Sequence, residues 1–276
     1  MSDTKSKLDN NAANKDSAIK RFLALSPDST GKTIFVAVSL CLFASMIVSS
    51  AAVSLRPIQD ANRAKDKQAN VLQVAGLYKD GIDVEKAFSA FEPRVLELES
   101  GKFSDKFDAK TFDDKAAASD PDLSVSLADD PAGIGRKAKY RVIYLLRDEN
   151  GKIDKVILPI HGYGLWSTLY GFIALEENGN DIYGLQFYQH AETPGLGAEV
   201  DNPKWKALWS GKKLADENGE LHITVAKSVP AAGKNYYVDA LSGATLTSNG
   251  VDNLVRFWMG KHGYKNFLKN LKAGEI

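Results

Sequence analysis

Cysteine is almost absent: Cys41 is the single one among 276 residues. That excludes an internal disulfide framework, a zinc-finger array and an iron–sulfur cluster held by this chain's thiolates. Histidine is scarce as well. The four present (His161, His190, His222, His262) do not stand at metal-ligand spacing to one another. There is no excess of either charge, with 35 Lys+Arg against 35 Asp+Glu. Such a balance gives no broad electrostatic footprint for nucleic acid. A redox role would therefore need an organic cofactor. What remains is ordinary for a folded protein, 44% hydrophobic and 25% charged, and long enough for one large domain or two small ones.

Residues 1–32 are polar, with six Lys/Arg and four Asp, and have too little apolar surface for a core. They read as a tail. Thr33 to Leu55 then carries no charge over 23 positions. At about 1.5 Å per residue this helix would span roughly 34 Å, enough for a hydrocarbon layer of about 30 Å. Its small residues Ala44, Ser45, Ser49, Ser50, Ala51 and Ala52 suit close packing against other membrane helices. A cleaved signal peptide is the alternative, but the long polar lead and the length of the run favour a retained anchor. Cys41 lies inside the run and reads as a small apolar residue. Orientation is not set by charge. Lys15, Lys20, Arg21 and Lys32 precede the span, and Arg56, Arg63, Lys65 and Lys67 follow it. The span holds no carboxylate, so it offers no charged ligand to a cation.

Beyond the anchor, residues 60–80 and 83–100 read as amphipathic helices, and 101–138 as an acidic, loop-rich excursion. The remainder is strand-rich. Tyr140–Leu146 and Lys155–Ile160 flank an Asn150-Gly151 turn. Tyr170–Leu175 and Ile182–Gln189 flank an Asn178-Gly179 turn. Short strands are expected at 221–226 and 236–238, and helices near 203–210 and 248–261. The expected division is a tail (1–32), a transmembrane helix (33–55), a helical and loop-rich region (56–138) and a domain at 139–276. The fold class is α+β, one N-terminal membrane helix followed by a single domain with an antiparallel sheet.

The chemistry concentrates in Asp239-Ala240-Leu241-Ser242-Gly243-Ala244-Thr245-Leu246-Thr247-Ser248. A strand ends at Val238, and then a run of small and hydroxyl residues precedes an apolar helix face at Val251, Leu254, Val255, Trp258 and Met259. Hydroxyls and bare backbone thus sit just ahead of a helix N-terminus, where unpaired N–H groups favour an anion. Thr247 or Ser248 is the expected N-cap. On composition alone the run is a Ser/Gly turn and cap.

The string from Asp239 to Thr245 resembles the flavinylation motif of FMN-bearing electron-transfer proteins: Asp, two variable residues, Ser or Thr, then Gly, Ala and Thr. Gly164-Leu165-Trp166-Ser167 and His190-Ala191-Glu192-Thr193-Pro194-Gly195-Leu196-Gly197 precede it in order. With the uncharged anchor, these resemble the C subunits of the bacterial sodium-translocating NADH:quinone oxidoreductases. A paralogous flavoprotein of a related electron-transport complex shares the motif, and a membrane-anchored binding or sensory module without redox role is the other alternative. The polar lead is longer than the family pattern, and Ala191 and Ala198 stand where glycines are expected.

The resemblance implies one covalent FMN, esterified through its phosphate to Thr245 by a flavin transferase. It implies a bacterial inner-membrane, single-pass protein with its main domain extracytoplasmic (periplasmic), relaying electrons among the other subunits of a membrane complex. Ser242, Gly243, Ala244 and Thr247 would surround the ester. Leu165 and Trp166 would face the ring, although Trp166 reads equally as a core aromatic. Thr193, Gly195 and Leu196 would meet the ring edge, although that loop reads also as a plain turn. No residue is expected to be catalytic and no metal is expected. His161 and His190 read as structural, Trp205 and Trp209 as helix packing, and Asp239 as a turn residue that the transferase recognises. No Gly-rich dinucleotide loop follows a strand, so the chain alone is not expected to oxidise NADH.

Overall fold

The computed structural model describes residues 20, 24, 26, 29–228, 230 and 233–276. The polar lead 1–32 therefore lies largely outside the described residues. The chain divides at Asn62/Arg63 into two compact units.

The uncharged run lies in α1 (Thr30–Val74), a helix long and apolar enough to cross a membrane. Leu40, Leu42, Phe43, Met46 and Val48 are each at least 60% exposed along it. Among the described residues nothing covers this apolar surface, as a lipid-facing helix requires. The helix expected over 60–80 is the continuation of the same element, and it stops at Val74.

The second unit is built on six strands: β1 (Phe91–Glu97), β2 (Lys102–Phe103), β5 (Tyr140–Arg147), β6 (Ile153–Tyr163), β7 (Thr168–Glu176) and β8 (Ile182–Gln189). They form one sheet in the order β2-β1-β5-β6-β7-β8, and every neighbouring pair is antiparallel. Both expected hairpins form, their turns closing at Gly151 and Gly179 in the left-handed region. Glycine enters that region without a Cβ penalty.

Residues 83–100 do not form the expected helix. Only α2 (Val84–Phe88) is helical, and β1 follows. Pro93 cannot continue a helix interior, and β2 pairs only with Leu96 and Glu97, leaving Pro93 on an open edge that asks for no N–H donor. The acidic excursion holds α3 (Asp114–Ser119) and the small ladder of β3 (Ser124–Ser126) with β4 (Arg136–Ala138).

The sheet is buried on both faces, so its strands read as nearly continuous apolar runs rather than strict alternation. One face carries Ile143, Leu145, Val156, Leu158 and Ile160, against Val251, Leu254, Val255 and Trp258. Those last four lie on α5 (Thr245–Met259), which packs along β6. The other face carries Val142, Tyr144, Ile157 and Phe172 against Val71, Leu72 and Val74 from the end of α1. Trp205 and Trp209, on α4 (Pro203–Lys206) and the turn after it, are buried edge to face, as expected for packing. β9 (Thr224–Ala226) and β10 (Tyr237–Asp239) form a parallel two-stranded ladder, an exception to the antiparallel pattern, and β10 delivers the chain to α5. A last helix, α6 (Lys265–Lys272), closes the fold.

A buried polar cluster lies between sheet and excursion. Arg141 Nε sits 2.8 Å from Asp114 Oδ2, and both side chains are nearly inaccessible. The guanidinium lies 4.5 Å from the Trp258 ring and faces His161 Nδ1 at 3.3 Å. Burial, then the Arg141 charge, lowers the His161 imidazole to about 3. His161 is thus neutral at physiological pH, in agreement with a structural role. An unfolded histidine titrates near 6.5, so the unfolded chain takes up one more proton between about pH 6.5 and 3. Stability should fall with decreasing pH across that window. His161→Gln keeps an acceptor for Arg141 and should flatten the dependence, measured as denaturant midpoints from pH 7 to 4.5.

Candidate functional site

The segment expected to carry the chemistry is more tightly organised than its sequence suggests. Helix α5 begins at Thr245, three residues before the expected start. Its N-cap is Ala244, which has no side chain to bond the first turn, so neither Thr247 nor Ser248 caps it. Both hydroxyls are occupied inside. Ser248 Oγ accepts from the Leu241 N–H (3.0 Å) and donates to the Ala244 carbonyl (2.9 Å), stitching the Ser242-Gly243 turn to the helix. Thr247 is buried and donates to Glu192 Oε2 (2.8 Å). Thr245 is half-exposed, and its hydroxyl has no protein partner among the described residues. The N–H groups of Thr245, Leu246 and Thr247 likewise meet no acceptor there. A free hydroxyl thus lies on an uncapped, electropositive first turn.

Glu192 holds the other two segments to this turn. It is 5% exposed. Its Oε1 accepts from the N–H groups of Leu165 (3.1 Å), Trp166 (3.0 Å) and Ser167 (3.1 Å), and from Ser167 Oγ (3.3 Å). Burial raises the carboxyl, but the bonds from Trp166, Thr247, Leu165 and Ser167 more than offset this and hold it below its ordinary range. The approach is close enough to need glycine. A Cβ on Gly197 would lie 2.5 Å from Thr247 Oγ1 and 2.7 Å from Glu192 Oε2. One on Gly250 would lie 2.5 Å from the Tyr163 carbonyl.

The expected site residues divide clearly. Ser242 and Gly243 are exposed, and Ala244 is buried beneath them. Trp166 is 65% exposed, which answers whether it is a core aromatic, and Leu165 is half-buried beside it. Thr193, Gly195 and Leu196 form an exposed turn in which the Thr193 carbonyl accepts from Leu196 and Ala198. Leu196 approaches Gly243, with 3.3 Å from its Cδ2 to a Cβ built there. Three segments separated by tens of residues therefore meet around one carboxylate, presenting Trp166, Leu196 and Leu246 as exposed apolar groups. Asp239 is exposed and its carbonyl accepts from Trp205 Nε1. His190 bonds Asp201 and the Glu192 N–H, a structural position. Sequence reasoning places Glu192 within a motif but gives it no role. Its only sequence signal is an acid among small and apolar residues.

A family model described as an FMN-binding domain matches residues 164–260, from the Gly164 turn to the end of α5. The C subunit of the Na(+)-translocating NADH-quinone reductase of Pseudomonas aeruginosa is 49% identical, covering 90% of this chain and 98% of that one. The chain belongs to this C-subunit family. The Vibrio alginolyticus member is 43% identical, covering 92% of this chain and all of its own length. The crystal structure of Shewanella oneidensis NqrC superposes with a TM-score of 0.72 at 35% identity, over 77% of this chain and 99% of that one. The crystal structure of the Parabacteroides distasonis member gives 0.62 at 30% identity, over 78% and 96%.

Membership makes the chain part of a sodium-translocating oxidoreductase, with an FMN-binding domain of its own. The site fits FMN by its own chemistry. The uncapped turn of α5 suits the phosphate, and the exposed Trp166, Leu196 and Leu246 suit a flat aromatic ring.

Proposed function

We propose that this protein carries one FMN joined through its phosphate to Thr245 Oγ and relays single electrons between partner subunits. The observation that carries this is the Thr245 hydroxyl, which has no partner among the described residues and lies on the uncapped first turn of α5. Attachment forms a phosphorus–oxygen bond to Thr245 Oγ. Its proton leaves to a base of the flavin transferase, and a phosphoanhydride bond of the activated flavin donor breaks to release a nucleotide. Thr245 is consumed once, and turnover does not regenerate it.

The flavin supplies the electron-accepting chemistry. The chain's residues supply place and retention. The first-turn N–H groups of Thr245, Leu246 and Thr247 stabilise the remaining phosphodiester charge. Ser242 and Gly243 stay exposed, so the segment can enter the transferase site, while Ala244 and Ser248 anchor it from below. Trp166 and Leu165, together with Thr193, Gly195 and Leu196, would hold the ring and shed water from it. A covalent tether suits such a carrier, because no redox state can then be lost by dissociation.

In this reading 139–276 is the FMN-binding domain, 56–138 the segment that adds β1 and β2 to its sheet, 33–55 the membrane anchor in the bacterial inner membrane and 1–32 a polar lead. The domain faces the periplasm, where the transferase works. A reporter that functions only outside the cytoplasm, fused after Ile276, should be active, and activity of a cytoplasm-only reporter would reverse the orientation. The flavin itself is tested on protein matured with its transferase. Denatured chain should fluoresce in a gel, with a mass above that of the sequence by FMN less one water. Unmodified chain would refute the assignment.

A further inference from the structure

One buried carboxylate receives five hydrogen bonds from two segments of chain and lies in a third. We propose that Glu192 is a positioning residue for the flavin site, clamping the Leu165–Ser167 turn onto the first turn of α5 so that Trp166 is fixed beside Thr245. This rests on the reading of Thr245 as the flavin-bearing residue.

The geometry gives three reasons. First, Trp166 is 65% exposed and sits in a turn between β6 and β7. An exposed indole on a turn is not held by packing, so its place depends on its backbone. Second, the three consecutive N–H groups at Leu165, Trp166 and Ser167 all converge on Glu192 Oε1. Apart from the Gly164 N–H to Ser167 carbonyl bond, they are the main polar tie of that turn. Bonds to an ionised acceptor are shorter and stronger than bonds between neutral groups. Third, Oε2 is reserved for Thr247, two residues from Thr245 on the same turn of α5. One side chain therefore sets the distance between the aromatic and the attachment point. Ser167 Oγ extends the clamp by receiving the Ala191 N–H at 2.8 Å, which ties the loop carrying Glu192 back to the same turn.

Preorganisation of this kind is what a relay needs, since a ring held in one place keeps its electron-transfer distances constant. The side chain acts through Trp166, and its removal should be felt there.

The test uses full-length protein matured with its transferase, as wild type, Glu192→Ala, Glu192→Gln, Trp166→Ala and the Glu192→Ala/Trp166→Ala pair. Glu192→Ala should speed amide exchange at Leu165, Trp166 and Ser167 at least ~10-fold, the equivalent of one such bond. It should also raise native-state flavin fluorescence, because a released indole no longer quenches the ring, with flavin content per chain unchanged. Trp166→Ala should raise it too, and the double variant should rise no further, since both act at one contact. Glu192→Gln keeps an acceptor oxygen and the side-chain volume. It should restore most of the protection and quenching, and it keeps the test readable if the alanine variant folds poorly. Unchanged exchange in both Glu192 variants, or a fully additive double variant, would overturn the clamp. Loss of flavin from wild type is a separate result. It removes the Thr245 reading, while the exchange rates still decide whether Glu192 holds the turn.

Discussion

Thr245→Ala should fold as the parent does and carry no covalent flavin. Replacement removes a hydroxyl that no group among the described residues engages, at a half-exposed position in the first turn of α5. The fold loses no hydrogen bond and no core volume, and alanine is the better helix former. Stability should stay within about 0.5 kcal/mol of the parent. Flavin content should fall to nothing, because the nucleophilic oxygen is gone and the other hydroxyls of the α5 first turn are engaged. Thr247 is buried on Glu192, and Ser248 is bound between Leu241 and Ala244. Thr245→Val, which conserves shape, should behave identically. The measurements are in-gel fluorescence and intact mass, beside a thermal melt. Full flavin on either variant would move the attachment elsewhere.

The second large effect concerns stability. Asp114→Ala should cost about 3–5 kcal/mol, the usual result of leaving one member of a buried ion pair without its partner. Arg141 is 4% exposed, held between Asp114, the His161 ring and the face of Trp258. Without Asp114 its charge has no counter-ion in that space. The pH dependence carries a sign. Burial raises the Asp114 carboxyl, but Arg141, with Lys67 behind it, outweighs that and holds it below the ordinary range. Its contribution is then complete above the unfolded value near 3.9 and is lost only as pH falls through the lower, folded value. The parent should therefore show an acid limb below about pH 4 from this pair, which Asp114→Ala lacks. Replacing Arg141 and Asp114 together by methionine and leucine should recover much of the loss, because it removes the uncompensated charge. Urea midpoints at pH 7 and in steps below pH 4 test all three statements, and a midpoint at pH 7 for Asp114→Ala equal to the parent's would show that the pair contributes nothing.

Residues 83–100 show where sequence reasoning fails. The apolar spacing at Val84, Ala87, Phe88 and Phe91 fits a helix, and α2 takes part of it. Pro93 and the open edge of β5 then turn the rest into a strand. Pairing of Phe91–Glu97 with Leu146–Tyr140 is a contact across about fifty residues, and periodicity within a window does not see it. The start of α5 is misplaced by sequence for a related reason. Ser and Thr are good caps in isolation, but Thr247 and Ser248 find better partners in tertiary space, at Glu192 and at the Leu241 turn. Glu192 has no legible role in the sequence because a carboxylate's role lies in who donates to it, and its donors lie 25–27 and 55 residues away.

By itself the sequence determined the uncharged helix, both hairpins, the α+β class and the motif ending at Thr245. Each of these is local, written in charge, turn residues and short spacing. Only the tertiary structure decided that the three motif segments share one carboxylate, that Thr245 alone among the neighbouring threonine and serine hydroxyls of α5's first turn is free, and that Trp166 faces outward. Those are matters of which groups are left unsatisfied once every other donor and acceptor has been paired, and that is settled when the chain has closed on itself.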